Sequence, residues 1–286
     1  MPEPRSDMPR LVFGLGATKA GTSWLYRYLD AHPDCMMPTP KELHYFDRAD
    51  GKFDVDQRPA LEAKLDRLPA EGARARSMRA YFDLLSQPDL SDAAYKHFVR
   101  KLGGEKPVFG DMTPAYSLVS TDMLKRMVGI AAQTRFVFVM RDPVARLWSN
   151  IRMMAKRRAA KTGGTPEKIA AQVAQSYLDG GAEQVAIRSD YKGMLERMSR
   201  AIPGTQLFTA FYERLFTGET ISKLCAFLGI RDVPGAFEKE IHKGQKMPLS
   251  VELHSALRAK LAPQYAAVAA QFNDLPNEWR ANMGGT

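Results

Sequence analysis

The sequence has few cysteines, no long apolar run, and no lysine in the position that a Walker loop requires. Its two cysteines, Cys35 and Cys225, belong to no C-x-x-C pair, so neither a disulfide framework nor a zinc site is indicated. We expect two buried free thiols in a reducing compartment. No apolar run approaches the roughly 18 residues that a membrane-spanning helix needs, and residues 1–10 contain no signal-peptide core. We therefore expect a soluble, cytoplasmic protein without a membrane anchor.

Length and composition favour one large α/β domain. The chain has 286 residues, of which 45% are hydrophobic, and this is enough to bury a full core. The absence of repeats and linkers predicts a single domain over residues 11–286 after a tail at 1–10. The net charge of +9 suits an anionic ligand. Because no recognition motif accompanies the charge, we expect no specific nucleic-acid partner.

A glycine-bounded loop near the N-terminus is the strongest signal. The apolar run at residues 11–16 predicts a buried strand, and apolar residues recur at helical spacing after Gly21, beginning with Trp24 and Leu25. The pattern predicts a strand, a tight loop and a helix. Such a loop directs backbone N–H groups and the positive end of a helix dipole toward one point, which is typical of a phosphate site.

The loop keeps the glycine spacing of Walker A but not its lysine. Gly16 and Gly21 match G-x-x-x-x-G-K-[ST], whereas Thr22 replaces the lysine and Lys19 lies three positions earlier. A Walker lysine reaches the β- and γ-phosphates from its place after the second glycine. This loop is therefore predicted to hold a 5′-phosphate group without a triphosphate. A P-loop nucleotide kinase is the alternative, although no acidic residue ends the strand at 136–140 in the Walker B position.

A proline-bounded loop at residues 38–47 concentrates titratable and aromatic groups. Glu42 and His44 are two positions apart, so in an extended segment both side chains point to the same side, while Leu43 and Tyr45 point to the other. A carboxylate beside an imidazole can act as a general base with its tuning partner. The alternative is a surface loop with solvated charges.

A second buried strand precedes a basic residue. Five apolar residues at 136–140 predict a parallel strand covered on both faces, and Pro143 stands where a helix would begin. Arg141 then lies at the carboxyl end of the strand, and Ser149 lies two turns into the helix. A guanidinium and a hydroxyl so placed can hold a second phosphate. The alternative is a structural pair between Arg141 and Asp142.

Three further short strands are predicted at 35–37, 108–110 and 207–212. The second leads into a polar turn at 111–116, and ligands bind at such strand ends in open α/β sheets. A basic, glycine-containing loop at 241–248 either closes over a nucleotide or forms an ordinary surface connection.

Together these motifs resemble those of the PAPS-dependent sulfotransferases (PAPS is 3′-phosphoadenosine 5′-phosphosulfate). The nearest pattern is that of the heparan sulfate 3-O- and N-sulfotransferase branch and its bacterial relatives. The resemblance covers most of the chain, and the matching motifs, in order, are residues 18–23, 41–47, 113–116, 141–143 with Ser149, 212–215 and 243–244. It implies a three-layer α/β fold similar to that of P-loop NTPases, with a central parallel sheet flanked by helices.

The resemblance also implies where the donor binds. Arg141 and Ser149 are expected to hold the 3′-phosphate, and Lys243 and Gly244 to close on the same molecule. No metal is expected. The residues expected to cradle the 5′-phosphosulfate are Thr18, Lys19, Ala20, Gly21, Thr22 and Ser23.

For catalysis, the resemblance implies in-line attack of an acceptor on sulfur. Glu42 corresponds to the general base of the glycan branch, with His44 and Asp47 in supporting positions. Lys19 is expected to offset charge on the bridging oxygen as adenosine 3′,5′-bisphosphate leaves.

The acceptor and the base remain open within the family. Small-molecule sulfotransferases of the cytosol use histidine as the base, which makes His44 the alternative to Glu42. The glycan enzymes have Glu-Lys where this chain has Asp111 and Met112, so a lysine near the transferred group is missing. The acceptor is accordingly expected to be a hydroxyl or amine of either a small molecule or a glycan.

Overall fold

A computed structural model describes residues 8–69, 71–237 and 247–284. Within these residues, five parallel strands form one sheet in the order β2-β3-β1-β4-β5. The strands are β1 (Arg10–Gly16), β2 (Cys35–Met36), β3 (Val108–Met112), β4 (Thr134–Met140) and β5 (Leu207–Phe211). The parallel sheet predicted from the resemblance is confirmed, and each strand coincides with a run predicted from the sequence to within two residues at either end.

Strand β1 lies at the centre of the sheet. Phe13 pairs with Asp111 of β3 on one side and with Phe136 of β4 on the other. Residues 11–16 are all buried, because helices cover both faces of a parallel sheet and leave no side open to water. This burial explains why the run is apolar throughout and does not alternate.

Helices flank the sheet, and most begin where the sequence has a capping residue or a proline. Pro143 occupies the first turn of a 20-residue helix that Asp142 caps, as expected for a residue with no N–H to satisfy. In the described residues the helices are α1 (Thr22–Ala31), α2 (Tyr45–Ala49), α3 (Arg58–Leu65), α4 (Ala73–Leu85), α5 (Asp92–Gly103), α6 (Thr121–Gly129), α7 (Pro143–Thr162), α8 (Pro166–Leu178), α9 (Glu183–Ala186), α10 (Tyr191–Ala201), α11 (Tyr212–Leu215), α12 (Gly218–Leu228), α13 (Val251–Ala269) and α14 (Asn277–Met283).

The core contains both cysteines and several aromatic residues in or near the loop at residues 38–47. Cys35 and Cys225 are buried free thiols, as predicted. Tyr45, Phe46 and Tyr81 have no exposed surface, so they belong to the core. No helix among the described residues is long and apolar enough to cross a membrane.

All five strands run in the same direction, so their carboxyl ends meet at one edge of the sheet. The loop after β1, Arg141 after β4 and Tyr212 after β5 lie at this edge. Open α/β sheets bind ligands there.

Candidate active site

The loop at residues 17–21 leads tightly from β1 into α1. Ala17 donates its N–H to the carbonyl of Val139 (2.7 Å), and the Ala20 N–H returns to the carbonyl of Ala17 (3.1 Å). Gly21, the N-cap of α1, has φ 85° and no side chain, so it cannot cap the helix. The first N–H groups of α1 therefore point toward the loop without a side-chain partner, as in helix termini that bind anions.

Gly21 also allows a close approach to α11. A Cβ at this position would lie 2.9 Å from Leu215 Cδ2 and 3.1 Å from Tyr212 Cδ2. Only glycine satisfies both the left-handed backbone and this contact. The spacing that resembled Walker A therefore has a steric cause in this fold.

Lys19 lies in the loop with a left-handed backbone, φ 72°. Burial lowers the pKa of its ammonium group, and the charges of four other cations lower it further. These cations are Arg141, Arg152, Arg157 and Lys41. Crowding of like charges is unfavourable until an anion neutralises it, so the surroundings of Lys19 favour a multiply charged anion.

Arg141, which follows the end of β4, is one of the cations around Lys19. Its Nη1 donates to the carbonyl of Lys19 (3.3 Å), and its guanidinium carbon lies 4.3 Å from the ring centre of Tyr212. The hydroxyl of Tyr191 fixes the Arg141 backbone by accepting from its N–H and donating to its carbonyl, both at 2.9 Å. The side chain is thus held beside the loop, and Arg141 follows the last residue of β4, as predicted.

Asp142 does not pair with Arg141, the alternative that the sequence left open. Its Oδ1 accepts from the Ala145 N–H (2.9 Å), and its Oδ2 accepts from Tyr265 Oη (2.7 Å) and Asn282 Nδ2 (2.9 Å). The carboxylate therefore caps α7 and ties α13 and α14 to it, which leaves the Arg141 guanidinium available to a ligand.

The other residues predicted to contact the 3′-phosphate are only partly described. Ser149 is half-buried on α7, and its Oγ forms no hydrogen bond to any residue in the described ranges. Arg141 lines a cavity of about 460 Å³ together with Trp148, Tyr212 and His254. Lys243 and Gly244 lie outside the described residues, so their closing over a nucleotide stays a prediction.

The loop before α2 is anchored on its inner side. Ser77 of α4 accepts from the Thr39 N–H (2.8 Å) and donates to the Thr39 carbonyl (3.1 Å), and Tyr81 donates to the carbonyl of Leu43. Leu43 and Tyr45 are buried. These anchors fix the backbone from which Glu42 and His44 project.

Glu42 and His44 point to the same side, as predicted, although the segment is not a regular extended strand. Both have left-handed backbones, with φ 67° for Glu42 and φ 54° for His44. Such conformations are unfavourable for residues with a side chain and are concentrated at functional sites. His44 is at the N-cap of α2, which begins at Tyr45.

Four acidic and basic side chains form a chain of contacts here. Asp47 Oδ2 lies 2.7 Å from His44 Nδ1, and His44 Nε2 lies 3.7 Å from Glu42 Oε2. The other oxygen of Glu42 accepts from Lys41 Nζ at 2.7 Å. The imidazole also stacks on Phe53, with ring centres 4.0 Å apart. His44 is therefore fixed on both ring nitrogens and on one face.

This geometry separates the pKa values of the two candidate bases. Burial lowers the pKa of His44, but the contacts with Asp47 and Glu42 outweigh burial and raise it to about 9. Burial raises the pKa of Glu42, but His44 and Lys41 outweigh burial and lower it to about 2. Near neutral pH the imidazole is thus a cation, which cannot accept a proton, while Glu42 is a carboxylate.

The polar turn after β3 is structural, contrary to the ligand-binding interpretation of its sequence. Thr113 and Tyr116 are fully buried and both donate to the buried carboxyl of Asp111 at 2.7 Å. Burial raises the pKa of Asp111 to about 6. The Tyr116 hydroxyl accepts from the Tyr45 N–H (3.2 Å), so this turn supports the Glu42 loop from behind.

Arg146, a fully buried cation on α7, was not predicted from the sequence. Its Nη1 donates to the carbonyl of Thr18 (3.5 Å), and its Nη2 donates to Ser189 Oγ. No carboxylate among the described residues pairs with it, and its Nε has no hydrogen-bond partner there. Its place on the apolar face of a predicted helix was the sequence signal that could have indicated its burial.

Arg188 was also missed. It donates to the carbonyl and the side chain of Gln184 (2.8 and 2.7 Å), and the charge of Glu42 acts on it. The sequence around Arg188 does not indicate its interaction with Glu42, because Arg188 and Glu42 are far apart in the sequence.

Comparisons with known proteins agree with the fold. A model of the sulfotransferase family matches residues 9–234. No curated protein matches the chain.

The solved structures that resemble the chain include sulfotransferases. The chain aligns with a sulfotransferase from Alicyclobacillus acidocaldarius at a TM-score of 0.65 and 22% identity, covering 95% of this chain and 98% of the other. A sulfotransferase domain from the curacin biosynthetic pathway aligns at 0.53 and 18%, covering 97% of each chain. A sulfotransferase domain from the olefin synthase of Synechococcus PCC 7002 aligns at 0.53 and 16%, covering 96% and 98%. At these identities the likeness shows the fold alone.

Proposed function

The chain belongs to the sulfotransferase family, and on this premise we propose that it transfers a sulfuryl group from PAPS to a hydroxyl or amine of an acceptor. The observation that carries the proposal is that Lys41 links two sites, because it contacts Glu42 and its charge acts on Lys19. One is a tight loop whose lysine is surrounded by four further cations, and the other is the ionised carboxylate of Glu42. The cationic loop suits the donor, and the carboxylate suits the removal of a proton from the acceptor.

The positive charge around Lys19 suits the anionic groups of PAPS. We propose that the loop from Thr18 to Ser23 holds the 5′-phosphosulfate through its N–H groups and Lys19. Gly21 leaves the first N–H groups of α1 without a side-chain cap, and this suits an anion at the helix terminus. PAPS supplies the sulfuryl group, with adenosine 3′,5′-bisphosphate as the leaving group.

For the 3′-phosphate we propose Arg141 and Ser149, and we propose that Lys243 and Gly244 close on the same donor molecule. The guanidinium of Arg141 is not used by Asp142, and Tyr191 fixes its backbone. A planar guanidinium binds phosphate oxygens in a bidentate manner, which supports discrimination between nucleotides with and without a 3′-phosphate.

We propose Glu42 as the general base and His44 as its positioning partner. The alternative, His44 as the base, is disfavoured because its raised pKa of about 9 keeps it protonated near neutral pH. In the proposed step Glu42 accepts the proton of the attacking hydroxyl or amine. Lys19 lies beside the site of the leaving group and offsets the negative charge that develops there.

The acceptor is proposed as a class, a small molecule or a glycan with a nucleophilic hydroxyl or amine. A place near the heparan sulfate 3-O- and N-sulfotransferase branch is supported by the carboxylate base. The lysine that this branch has beside the transferred group is replaced by Met112, which is buried against Gly14 in the core. The branch assignment therefore depends on the Glu42 loop.

Calorimetric titration without magnesium tests the donor site. The titrants are adenosine 3′,5′-bisphosphate, ATP and 5′-AMP, on the wild-type protein and on Arg141→Ala. We expect tight binding of the bisphosphate alone, weakened by at least about 1.5 kcal/mol in the variant, as for a lost charged hydrogen bond. Equal or tighter binding of ATP would contradict the proposal and favour a P-loop nucleotide kinase.

A further inference from the structure

Lys41 lies between the two parts of the candidate site. Its Nζ donates to Glu42 Oε1 at 2.7 Å, and its side chain is 19% exposed. The same charge also lowers the pKa of Lys19 in the phosphate-binding loop. One ammonium group therefore acts on both the proposed base and the lysine proposed to face the donor.

Three cations face the carboxylate of Glu42 in the described residues. Lys41 contacts Oε1, and His44, which is held by Asp47, lies near Oε2 at 3.7 Å. Arg188, from the segment that follows α9, is near enough for the charge of Glu42 to act on it. A carboxylate stabilised in this way is a weak base, since a good general base has a pKa nearer the working pH.

In the free protein the positive charges around Lys19 and the Lys41 ammonium group repel one another. The charges that act on Lys19 are those of Arg141, Arg152, Arg157 and Lys41, all positive. An anion bound at this loop would therefore attract Lys41 as well. In the proposed donor pose the loop encloses the 5′-phosphate, which leaves the oxygens of the group to be transferred most exposed.

Building on the proposed function, we propose that Lys41 is a positioning residue that exchanges partners during the reaction. In the free enzyme it holds Glu42 Oε1. When the donor binds, Lys41 turns to the sulfuryl oxygens and leaves Oε1 free to accept the proton of the acceptor. The base thereby becomes stronger only when the donor is in place.

The exchange has a thermodynamic consequence. If donor binding removes Lys41 from Glu42, it raises the pKa of Glu42, and by reciprocity the strength of the Lys41–Glu42 contact opposes donor binding. The rise in the Glu42 pKa requires the sulfuryl group. We therefore expect it with PAPS but not with adenosine 3′,5′-bisphosphate, which lacks that group.

Binding measurements on Lys41→Met, Lys41→Gln and Lys41→Arg test the exchange. We expect both neutral variants to lose about tenfold in affinity for PAPS, as for a lost charged hydrogen bond, with less than a threefold change for adenosine 3′,5′-bisphosphate. Lys41→Arg is expected to restore most of the PAPS affinity. Lys125→Met, which removes an exposed lysine on α6 beside Asp122, is the matched control and is expected to change neither.

A second readout follows the carboxylate itself. In protein labelled with ¹³C at the glutamate carboxyl, the Glu42 signal is identified by its loss in Glu42→Gln. We expect PAPS to raise the Glu42 pKa in the wild type, whereas in Lys41→Met the pKa is already raised in the free protein and PAPS moves it little.

The outcomes separate this inference from the proposed function. Equal weakening of PAPS and bisphosphate in the neutral variants, or a Glu42 pKa that PAPS does not change in the wild type, would overturn the exchange and leave the donor site standing. A wild-type protein that binds neither ligand would overturn both.

Discussion

The carboxylate of Asp47 holds the imidazole of His44 through a contact of 2.7 Å between Oδ2 and Nδ1. Asp47 is 1% exposed, and Phe53 covers one face of the ring. The charged imidazole is stabilised on this side by Asp47 and on the other by the carboxylate of Glu42, 3.7 Å away. This arrangement gives the two candidate bases opposite charges at neutral pH.

Stability is expected to depend on pH through His44. Its folded-state pKa is raised from 6.5 to about 9, so the stabilisation is fully present below pH 6.5 and is lost as the pH rises through 9. Its size is on the order of 3 kcal/mol. Urea unfolding at pH 6 to 10 measures it, and His44→Gln is expected to lack this part of the slope. Parallel curves for the two proteins would contradict the ion pair.

Glu42→Gln is expected to remove transfer while nearly preserving binding of adenosine 3′,5′-bisphosphate. An amide cannot accept the proton, and a general base contributes about 10²- to 10⁴-fold to the rate. Transfer is measured with the acceptor that a screen identifies. Activity above about a tenth of wild type, a barrier change of less than about 1.4 kcal/mol, would move the role to His44.

Gly21→Ala and Gly163→Ala form a matched pair for the phosphate-binding loop. Both glycines have positive φ, 85° and 75°, but a Cβ at Gly21 would meet Leu215 at 2.9 Å, whereas one at Gly163 would meet nothing within 4 Å. Both substitutions cost about 1–2 kcal/mol of backbone strain. We expect at least a tenfold loss of bisphosphate affinity in Gly21→Ala and none in Gly163→Ala, by calorimetry. Equal affinities would show that the loop tolerates the added carbon.

Arg146→Met is expected to weaken donor binding without a matching loss of stability. A buried guanidinium without a carboxylate partner is costly to desolvate, and replacing a buried charge with an apolar side chain is often neutral. We expect the free energy of unfolding to change by less than about 1 kcal/mol and bisphosphate affinity to fall about tenfold. Lys156→Met, an exposed site on the same helix, is the control. Unchanged affinity would assign Arg146 to packing.

Tyr191→Phe tests how Arg141 is positioned. The lost hydroxyl bonds both the N–H and the carbonyl of Arg141, so the guanidinium is expected to lose its fixed direction. Calorimetry is expected to show a smaller ratio between the affinities for adenosine 3′,5′-bisphosphate and 5′-AMP, by about threefold or more. A preserved ratio would mean that Tyr191 supports the strand end only.

Much of the fold could be predicted from the sequence because its signals are local. The buried strands β1 and β4 are short apolar runs, and Pro143 marks the start of α7 at the residue where the structure begins it. The loop at 17–21 was predictable from glycine spacing, because the left-handed turn at Gly21 is a property of the backbone at that residue.

The interactions of the polar side chains could not be predicted from the sequence in the same way. Asp142 is adjacent to Arg141 in the sequence, yet it bonds Tyr265 and Asn282, both more than a hundred residues later. Likewise, the sequence of the turn containing Thr113 and Tyr116 predicts a ligand site. In the structure both residues are buried, and the turn supports the Glu42 loop.

The sequence by itself determined the order of strands and loops, the glycine-bounded turn and the residue types available at the site. The tertiary structure decided which charges meet: the three cations around Glu42, the burial of Arg146, and the opposite protonation of Glu42 and His44. The physical reason is that backbone preferences act over a few neighbouring residues, whereas the pKa of a side chain depends on burial and on charges that the fold brings together from distant segments.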